Sequence, residues 1–218
     1  RNKGAAGVDH VTVEDFRRRR DEHLADLHEQ LRRDTFRPQM IRRKFIDKPG
    51  TTEKRPLGIP TVRDRVVQGA LRQVLEPIFE KEYAEHSYGF RPGKGCKDAL
   101  RRVDDLIKRG YRHTVDVDLK AYFDSIPHDR LLDEVRKRIA DTRVLGLIEA
   151  YLKASILDGM DVWDPVRGAP QGAVLSPLLS NLYLNDLDHL MASRGHEMTR
   201  YADDMVIQCR TPEEAESA

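Results

Sequence analysis

The chain has 218 residues and a formal net charge of +1, with 34% charged and 39% hydrophobic residues. This length allows one large domain or two small ones, and it excludes a mini-protein that depends on disulfides or a structural metal. No apolar run approaches the roughly 18 residues that span a bilayer, which excludes a membrane protein.

The cysteines and the N-terminus indicate a reducing compartment. Cys96 and Cys209 form no metal-ligand spacing with each other or with the scattered histidines. The first four residues, Arg-Asn-Lys-Gly, lack an apolar signal core. We therefore predict a cytoplasmic protein without a zinc site.

The net charge hides two halves of opposite sign. Residues 1–115 carry 27 Lys and Arg against 18 Asp and Glu, whereas residues 116–218 carry 11 against 19. A basic half suits contacts with phosphate, and an acidic half suits either solvation or cation binding. The pattern points to a protein that holds nucleic acid and metal ions, although ordinary surface charge is an open alternative.

The first predicted elements are a helix and a hairpin. Thr12 and Asp15 have the spacing of a capping box, which marks the start of a helix. Its apolar positions fall on one helical face: Phe16, Leu24, Leu27 and Leu31. Extended pieces at 43–46 and 56–60 then flank a Pro49-Gly50 turn, so we predict a β-hairpin with a basic tip.

Two further helices follow the hairpin. Apolar residues recur in pairs about four apart over residues 66–79, which predicts a buried amphipathic helix that Pro77 kinks or ends. After a Gly- and Pro-rich loop at 87–95, another helix runs through Ala99 and Leu106 to a stop at Gly110.

A strand with one acidic face is predicted next. In residues 113–119, apolar side chains alternate with threonine and aspartate. This period of two predicts a strand with one packed face and one carboxylate-bearing face. Helices are predicted after it at about 129–139 and 142–156.

The C-terminal part combines a loop, a long helix and a second hairpin. The loop at 168–172, which we call the glycine loop, precedes Ser176-Pro177, an N-cap and first-turn proline for the long helix. Two strands, 197–200 and 205–209, then flank the Tyr-Ala-Asp-Asp sequence at 201–204. We call these four residues the acidic turn.

Three carboxylates are candidates for a metal site. Asp203 and Asp204 are adjacent at the tip of a predicted hairpin, where their charges repel unless a cation is present. Asp118 ends another strand, and it joins them if the strands are neighbours in one sheet. Hard oxygen ligands in this number suit two Mg²⁺ ions about 3.5–4 Å apart in phosphoryl transfer. The alternative is that each aspartate only favours a local turn or helix start.

Six ordered sequence blocks resemble a known family. The palm motifs of reverse transcriptases are matched by Asp-Leu-Lys-Ala-Tyr-Phe-Asp at 118–124, by Gly-Ala-Pro-Gln-Gly at 168–172 through Ser176-Pro177, and by the acidic turn. The other three blocks look like the N-terminal extension and fingers of group II intron-encoded reverse transcriptases: residues 2–9, 55–60 and 87–93. The resemblance covers nearly the whole chain.

The resemblance implies the catalytic and metal-binding residues. Asp118, Asp203 and Asp204 match the family's metal-binding triad, and the cofactor would be two Mg²⁺ ions, with Mn²⁺ as a substitute. The carbonyl of Leu119 is a candidate extra oxygen ligand near the incoming nucleotide. The family pattern does not make ligands of the nearby acids, Asp116 and Asp124, for which we predict structural roles.

The resemblance also implies nucleotide-binding residues. Lys48 and Arg55, on the basic hairpin, resemble residues that grip the triphosphate, which they can do by charge-assisted hydrogen bonds. A solvated hairpin tip is the alternative for both. Gln171, in a loop before a helix, could contact the nucleotide sugar or the template, and Gly172 permits a close backbone approach. A purely conformational turn is the alternative for both residues. Phe123 would lie under the sugar and exclude a ribose 2′-hydroxyl, and core packing is the alternative for this ring.

Nucleic acid contacts are expected from the loop at 87–95. Arg91 and Lys94 lie there among glycines and prolines, and this loop could follow a nucleic acid backbone. A solvated surface is the alternative for both residues. Tyr201 could pack below the primer end or belong to the core.

The implied fold is α/β (α+β), of the right-hand polymerase type, with an antiparallel palm sheet packed on helices. Fingers with an N-terminal extension block would occupy residues 1–112. The palm would occupy residues 113–218 and be truncated after the hairpin that carries the acidic turn. Because the sequence starts inside a recognisable block and stops at Ala218, we expect a fragment of a longer protein in which the thumb is absent.

The implied function is RNA-directed DNA synthesis by a protein of a group II intron mobile element. The substrates would be dNTPs, an RNA template and a DNA primer, with intron RNA as a further partner and no membrane. The fragment alone is expected to be weakly active or inactive. The sequence leaves the oligomeric state open.

Three alternatives remain open from the sequence. A reverse transcriptase of a CRISPR adaptation or phage-defence system would share these motifs. A non-catalytic module that binds intron RNA would use the basic half, but the intact Asp118 and Asp203 argue against it. A metal nuclease or cyclase with a similar sheet would leave the fingers blocks unexplained.

Overall fold

The structure is a computed structural model, and it describes residues 4–47, 50 and 52–218. The chain divides into two compact units that interleave in sequence. Unit 1 comprises Arg1–Leu75 and Phe123–Ser176, and unit 2 comprises Glu76–Tyr122 and Pro177–Ala218. The boundary between fingers and palm at residue 112 stays a prediction.

The described residues form helices and strands that occur singly and in consecutive pairs or runs. Their order and bounds are α1 (Val13–Arg18), α2 (Arg20–Arg32), β1 (Ile41–Asp47), β2 (Lys54–Ile59), α3 (Val62–Phe79), α4 (Cys96–Lys108), β3 (His113–Asp118), α5 (Tyr122–Ser125), α6 (His128–Arg136), α7 (Thr142–Leu152), β4 (Ile156–Asp158), β5 (Asp161–Trp163), α8 (Ser176–Ser193), β6 (Glu197–Tyr201), β7 (Asp204–Cys209) and α9 (Pro212–Ser217). None of the helices in the described ranges is both long and apolar enough to cross a membrane.

Unit 1 begins with the predicted capping box. The Thr12 hydroxyl accepts the backbone N–H of Asp15 at 3.1 Å, and the Asp15 carboxylate accepts the N–H of Thr12 at 3.1 Å. The single helix predicted here is wrong, because Arg19 leaves helical geometry (φ −118°, ψ 34°) and separates α1 from α2. Across this break, the rings of Phe16 and His23 stack with their centroids 4.6 Å apart.

The sheet of unit 1 has the strand order β2-β1-β4-β5. Strands β1 and β2 form the predicted antiparallel hairpin, with Phe45 opposite Pro56. The sequence did not reveal β4 and β5, which extend this hairpin through a parallel pairing of Ile41 with Ile156. The helix predicted to reach Ile156 ends at Leu152, because Ile156 belongs to β4.

The helices of unit 1 follow the predicted apolar pattern. Helix α3 ends at Phe79, two residues after Pro77, near the predicted end. Its N-terminal part buries Val67 and Leu75, and α6 buries Leu131 and Val135. Burial of such side chains is the main favourable term in folding.

Unit 2 is built on an antiparallel sheet with the strand order β3-β7-β6. This sheet and its flanking helices are the predicted α/β architecture. One sheet face packs on helices α8 and α9 through a core of Met191, Met198, Met205, Ile207 and Cys209, with Val115, Val117 and Leu187 against it. The predicted alternation in β3 is confirmed, since every second residue from His113 is half-buried and the others are exposed.

Candidate functional site

Two of the candidate carboxylates face each other across neighbouring strands of unit 2. Strand β3 pairs with β7 in a register that places Asp118 opposite Asp204. Asp203 precedes Asp204 in the acidic turn, whose last residue starts β7. The strand alternation that sends Val117 to the core therefore sends Asp118 to the open face, beside the turn.

The pKa of Asp204 reflects the acidic residues near it on this face. The pKa of Asp204 is raised above its ordinary range, first by burial and then by the charges of Asp203, Asp118 and Asp116. Like charges disfavour ionisation, and a cation would relieve this repulsion. Asp116 thus contributes to the acidic field although the family pattern does not make it a ligand.

The donor set fits a divalent cation, but the side chains as placed do not form a coordination shell. Within residues 4–47, 50 and 52–218, no three His, Cys, Asp or Glu side chains are grouped closely enough to hold a metal ion. Carboxylate oxygens that repel one another are nonetheless the hard ligands that Mg²⁺ prefers. The Leu119 carbonyl accepts the Tyr122 N–H at 3.2 Å and retains a second lone pair.

The acidic turn is supported by a residue that the sequence analysis missed. Arg200 is 0% exposed and forms an ion pair with Asp188 of α8. The same guanidinium donates to the backbone carbonyl of Ala202, inside the turn, at 2.8 Å. In a strand, residues two apart share a face, so Arg200 lies on the same face as the core residue Met198. This spacing was the signal in the sequence that Arg200 faces the core.

The loop at 87–95 also supports the turn. A Cβ on Gly89 would lie 2.3 Å from the backbone nitrogen of Ala202, so only glycine fits this approach. Ala202 itself has a φ of +61°. Part of the fingers-like block at 87–93 therefore packs directly behind the acidic turn.

The expectation that Arg91 contacts nucleic acid is corrected by the structure. Its side chain is 5% exposed and pairs with Glu80 at 2.6 Å. It also donates to the carbonyls of Ala84 at 2.6 Å and Ser87 at 2.8 Å. A guanidinium bonded in this way stabilises its own loop and is not available to a phosphate.

Lys94 stays a candidate for nucleic acid binding. Its ammonium donates to the Glu85 carbonyl and lies 5.3 Å from the centre of the Tyr88 ring. The side chain is half-buried, and burial lowers its pKa. Tyr201 is 36% exposed at the edge of the acidic turn, so its ring is not part of the core.

In unit 1, the glycine loop packs on the β2 strand of the hairpin. The backbone carbonyl of Gln171 accepts the N–H of Gly58 at 2.6 Å. Gly172 has a φ of +101°, and a Cβ on it would lie 2.5 Å from the Gly58 oxygen. The close backbone approach predicted for Gly172 is therefore made to the chain's own hairpin.

Phe123 is held by the other end of the glycine loop. Its carbonyl accepts the N–H of Ala169 at 2.7 Å, and its side chain is half-buried. Gly168 has a φ of +97°, and a Cβ there would lie 3.1 Å from Cα of Asp124. The structure thus brings together, within unit 1, Phe123 and the loop that carries Gln171 and Gly172.

Of the two basic residues of the hairpin, the structure describes Arg55. Arg55 is exposed on β2, where it stands opposite Ile46 of β1. Lys48 lies outside the described residues. The exposure of Arg55 leaves its guanidinium accessible to solutes.

Comparison with known sequences matches most of the chain to one family model, described as "Reverse transcriptase (RNA-dependent DNA polymerase)", over residues 46–218. The group II intron-encoded protein LtrA of Lactococcus lactis subsp. cremoris is 36% identical over 217 residues, which are 97% of this chain and 34% of that protein. Protein YkfC of Escherichia coli (strain K12) is 38% identical over 199 residues, which are 88% of this chain and 52% of that protein. The chain therefore spans about a third to a half of the length of these relatives.

Solved structures share the fold. A chain of a structure described as "Partial Cas6-RT-Cas1--Cas2 complex" superposes with a TM-score of 0.53 and 25% identity, over 90% of this chain and 34% of that chain. A truncated apo telomerase from Candida Tropicalis superposes with a TM-score of 0.59 and 11% identity, over 82% of this chain and 45% of that chain. Because the identity to the telomerase is only 11%, this similarity shows the fold alone.

Proposed function

The chain belongs to the reverse transcriptase (RNA-dependent DNA polymerase) family, and from this premise we propose that the protein it belongs to copies RNA into DNA. The reaction is the transfer of dNTPs to the 3′-hydroxyl of a DNA primer on an RNA template. The observation that carries the proposal is the register that sets Asp118 opposite Asp204, next to Asp203, in a chain that matches this family.

The acids of unit 2 are proposed to bind the divalent cations of the reaction. Asp118, Asp203 and Asp204 would hold two Mg²⁺ ions, with Mn²⁺ as a substitute and the Leu119 carbonyl as a further oxygen ligand. When bound, such ions supply charge stabilisation for the attacking and leaving oxygens of phosphoryl transfer. The pKa of Asp204 is raised first by burial and then by repulsion from neighbouring carboxylates, and this repulsion supports the assignment because cation binding would remove it.

Residues of unit 1 are proposed to bind the nucleotide. Arg55 is exposed on β2 and would contact the triphosphate together with Lys48. Gln171 and Gly172 would contact the nucleotide sugar or the template, and Phe123 would limit the space at the sugar. The hydrogen bonds that fix the glycine loop support these roles, because a binding loop must be held in place.

The genetic system is proposed to be a group II intron, with intron RNA as a partner of the whole protein. Identities of 36% and more to intron-encoded and related proteins over most of the chain support this. A CRISPR-associated reverse transcriptase is the second candidate, since a Cas6-RT-Cas1--Cas2 chain is 25% identical. A cytoplasmic location stays a prediction from the cysteines.

Primer extension by the full-length protein tests the proposed activity. The substrates are an RNA template, a DNA primer, dNTPs and Mg²⁺, and the readout is the length of the labelled primer. We expect Asp203→Asn to lower extension by more than about 100-fold, because it removes one charged ligand. The control Asp161→Asn, in an exposed position on β5, should extend like the wild type. Extension that persists in Asp203→Asn, or a wild type that requires no divalent cation, would contradict the proposal.

A further inference from the structure

Arg200 is a charged side chain in the core of the unit 2 sheet. It lies in β6 two residues after Met198 and therefore shares the face that packs on α8. It is the largest of the fully buried side chains in the described part of the chain. Burial of a charge is costly unless it is paired and hydrogen-bonded, so this position needs a specific reason.

The Arg200 guanidinium donates hydrogen bonds to three residues. Nε donates to one carboxylate oxygen of Asp188 at 2.7 Å and Nη2 to the other at 2.5 Å, which is a bidentate pair. Nη1 donates to the side-chain oxygen of Asn181 at 2.9 Å and to the carbonyl of Ala202 at 2.8 Å. Asp188 and Asn181 both lie on α8, so Arg200 ties the acidic turn to this helix.

The turn is held from its other side as well. Asn181 donates through Nδ2 to the carbonyl of Gly89 at 2.7 Å. Gly89 is the residue whose missing side chain lets its backbone approach Ala202. The backbone of Arg200 completes the frame, because its N–H donates to His86 at 3.0 Å and its carbonyl accepts from Tyr88 at 2.9 Å.

Ala202 needs such a frame. Its φ of +61° is in the left-handed region, which costs an alanine free energy and persists only where the surroundings enforce it. The next two residues are Asp203 and Asp204, so the conformation at Ala202 decides where both carboxylates emerge. A single hydrogen bond from Arg200 reaches the carbonyl of this residue.

We propose that Arg200 is a positioning residue for the carboxylates of the acidic turn. It holds the Ala202 carbonyl and thereby places Asp203 and Asp204 beside Asp118 for cation binding. The inference rests on the proposed function. It means that a buried residue affects how much Mg²⁺ the reaction requires. A lysine would keep the charge near Asp188, but it lacks the planar fork that bonds Asp188 and Ala202 at the same time.

The test compares Arg200→Lys with Arg102→Lys in the full-length protein. Arg102 of α4 is the matched control, since it is largely buried and pairs at 2.5 Å with Glu197 of β6, the strand that also carries Arg200. We expect Arg200→Lys to lower kcat for single-nucleotide addition by about tenfold or more and to raise the half-saturating Mg²⁺ concentration, with KM for the dNTP within about twofold. Arg102→Lys should leave these three values within about twofold, whatever its Tm.

A second readout does not depend on activity. Hydrogen exchange of the backbone amides at 201–205, measured without nucleotide, should be about tenfold faster in Arg200→Lys and unchanged in Arg102→Lys. If Arg200→Lys does not fold, Asn181→Ser replaces it. This variant leaves the Asp188 pair but removes one acceptor of Arg200 together with the Asn181 bond to the Gly89 carbonyl, so changes in the same direction should appear.

The outcomes separate this inference from the proposed function. Kinetic values and amide exchange in Arg200→Lys that match those of Arg102→Lys would overturn the positioning role. A wild-type protein that extends no primer on RNA would overturn the proposed function instead. In that case the exchange at 201–205 still decides whether Arg200 holds the turn.

Discussion

Asp64, at the start of α3, shows how one buried acid is accommodated in unit 1. It is 1% exposed, and its carboxylate accepts the Thr61 hydroxyl at 2.5 Å and the Gln39 N–H at 3.3 Å. Burial raises the pKa of Asp64, although both hydrogen bonds act in the opposite direction. The folded protein therefore binds this proton more tightly than the unfolded chain does.

Replacement of Asp64 should have a pH-dependent effect on stability. A raised pKa in the folded state stabilises the fold at pH below the ordinary aspartate value of about 3.9, and this contribution is lost as the pH rises. We expect the Tm of Asp64→Asn, relative to wild type, to be more favourable at pH 8 than at pH 4. Thermal unfolding of both proteins at the two pH values measures this, and a Tm difference independent of pH would contradict it.

Phe123 should affect the choice of sugar. A ring under the sugar would occupy the space of a ribose 2′-hydroxyl and leave that group without a hydrogen bond, which costs on the order of 1–3 kcal/mol. In the full-length protein, Phe123→Val should raise the incorporation of ribonucleotides relative to dNTPs while Mg²⁺-dependent activity remains. Competition between the two nucleotides in primer extension provides the ratio. An unchanged ratio in an active variant would remove Phe123 from this role.

Single residues also mark the limit of prediction from the sequence. The alternation in β3 was enough to place Asp118 on the open face, because period two is a property of the strand itself. Arg91 and Arg200 were not identified as buried, because their burial depends on Glu80 and Asp188, which lie elsewhere in the chain. Charged residues are rarely buried unless paired, and such partners are set by tertiary structure.

At the scale of elements, local signals predicted the larger pieces. The capping box, the β1–β2 hairpin and the long helices each carry a periodicity or turn signal, and all are present. Strands β4 and β5 have three residues each, which is too short for a pattern to emerge. The break at Arg19 was missed for a different reason, since the apolar spacing continues across it.

The contact between the glycine loop and the hairpin should be sensitive to one methyl group. Gly172→Ala places a Cβ within 2.5 Å of the Gly58 oxygen at a φ of +101°, so we expect it to destabilise the fold by about 1–3 kcal/mol. The control is Gly146→Ala in helix α7, where a Cβ meets open space and should stabilise by roughly 0.5–1 kcal/mol. Urea unfolding gives both values. Equal effects of the two substitutions would show that the loop moves freely away from the hairpin.

At the scale of the whole molecule, the fold inferred from six sequence blocks is confirmed by the family match over residues 46–218 and by solved structures with TM-scores of 0.53 and 0.59. Several blocks contain residues at positive φ, among them Gly93, Gly168, Gly172 and Ala202, so their sequences carry a local backbone requirement. They did not reveal the interleaving of the two units, because no composition shift marks residues 75, 122 or 176.

The basic half of the chain predicts how binding responds to salt. Residues 1–115 carry a net charge of +9, so binding of an RNA/DNA duplex should release counterions. We expect affinity to fall steeply between 50 and 200 mM salt, by about 10³-fold or more if six or more phosphates are contacted, and to depend little on sequence. Fluorescence anisotropy at several salt concentrations measures the slope. An affinity that salt leaves unchanged would rule out phosphate contacts as its source.

The register of β3 with β7 also has a consequence for the order of events on the ribosome. Asp118 leaves the exit tunnel 86 residues before Asp204, its partner across the sheet. At synthesis rates of about 5–20 residues per second, β3 waits roughly 4–17 s for the strand that pairs with it. During this interval its backbone N–H and C=O groups and its apolar face are open to other chains. Until β7 has been synthesised, the nascent protein is therefore exposed to mispairing at the strand that carries Asp118.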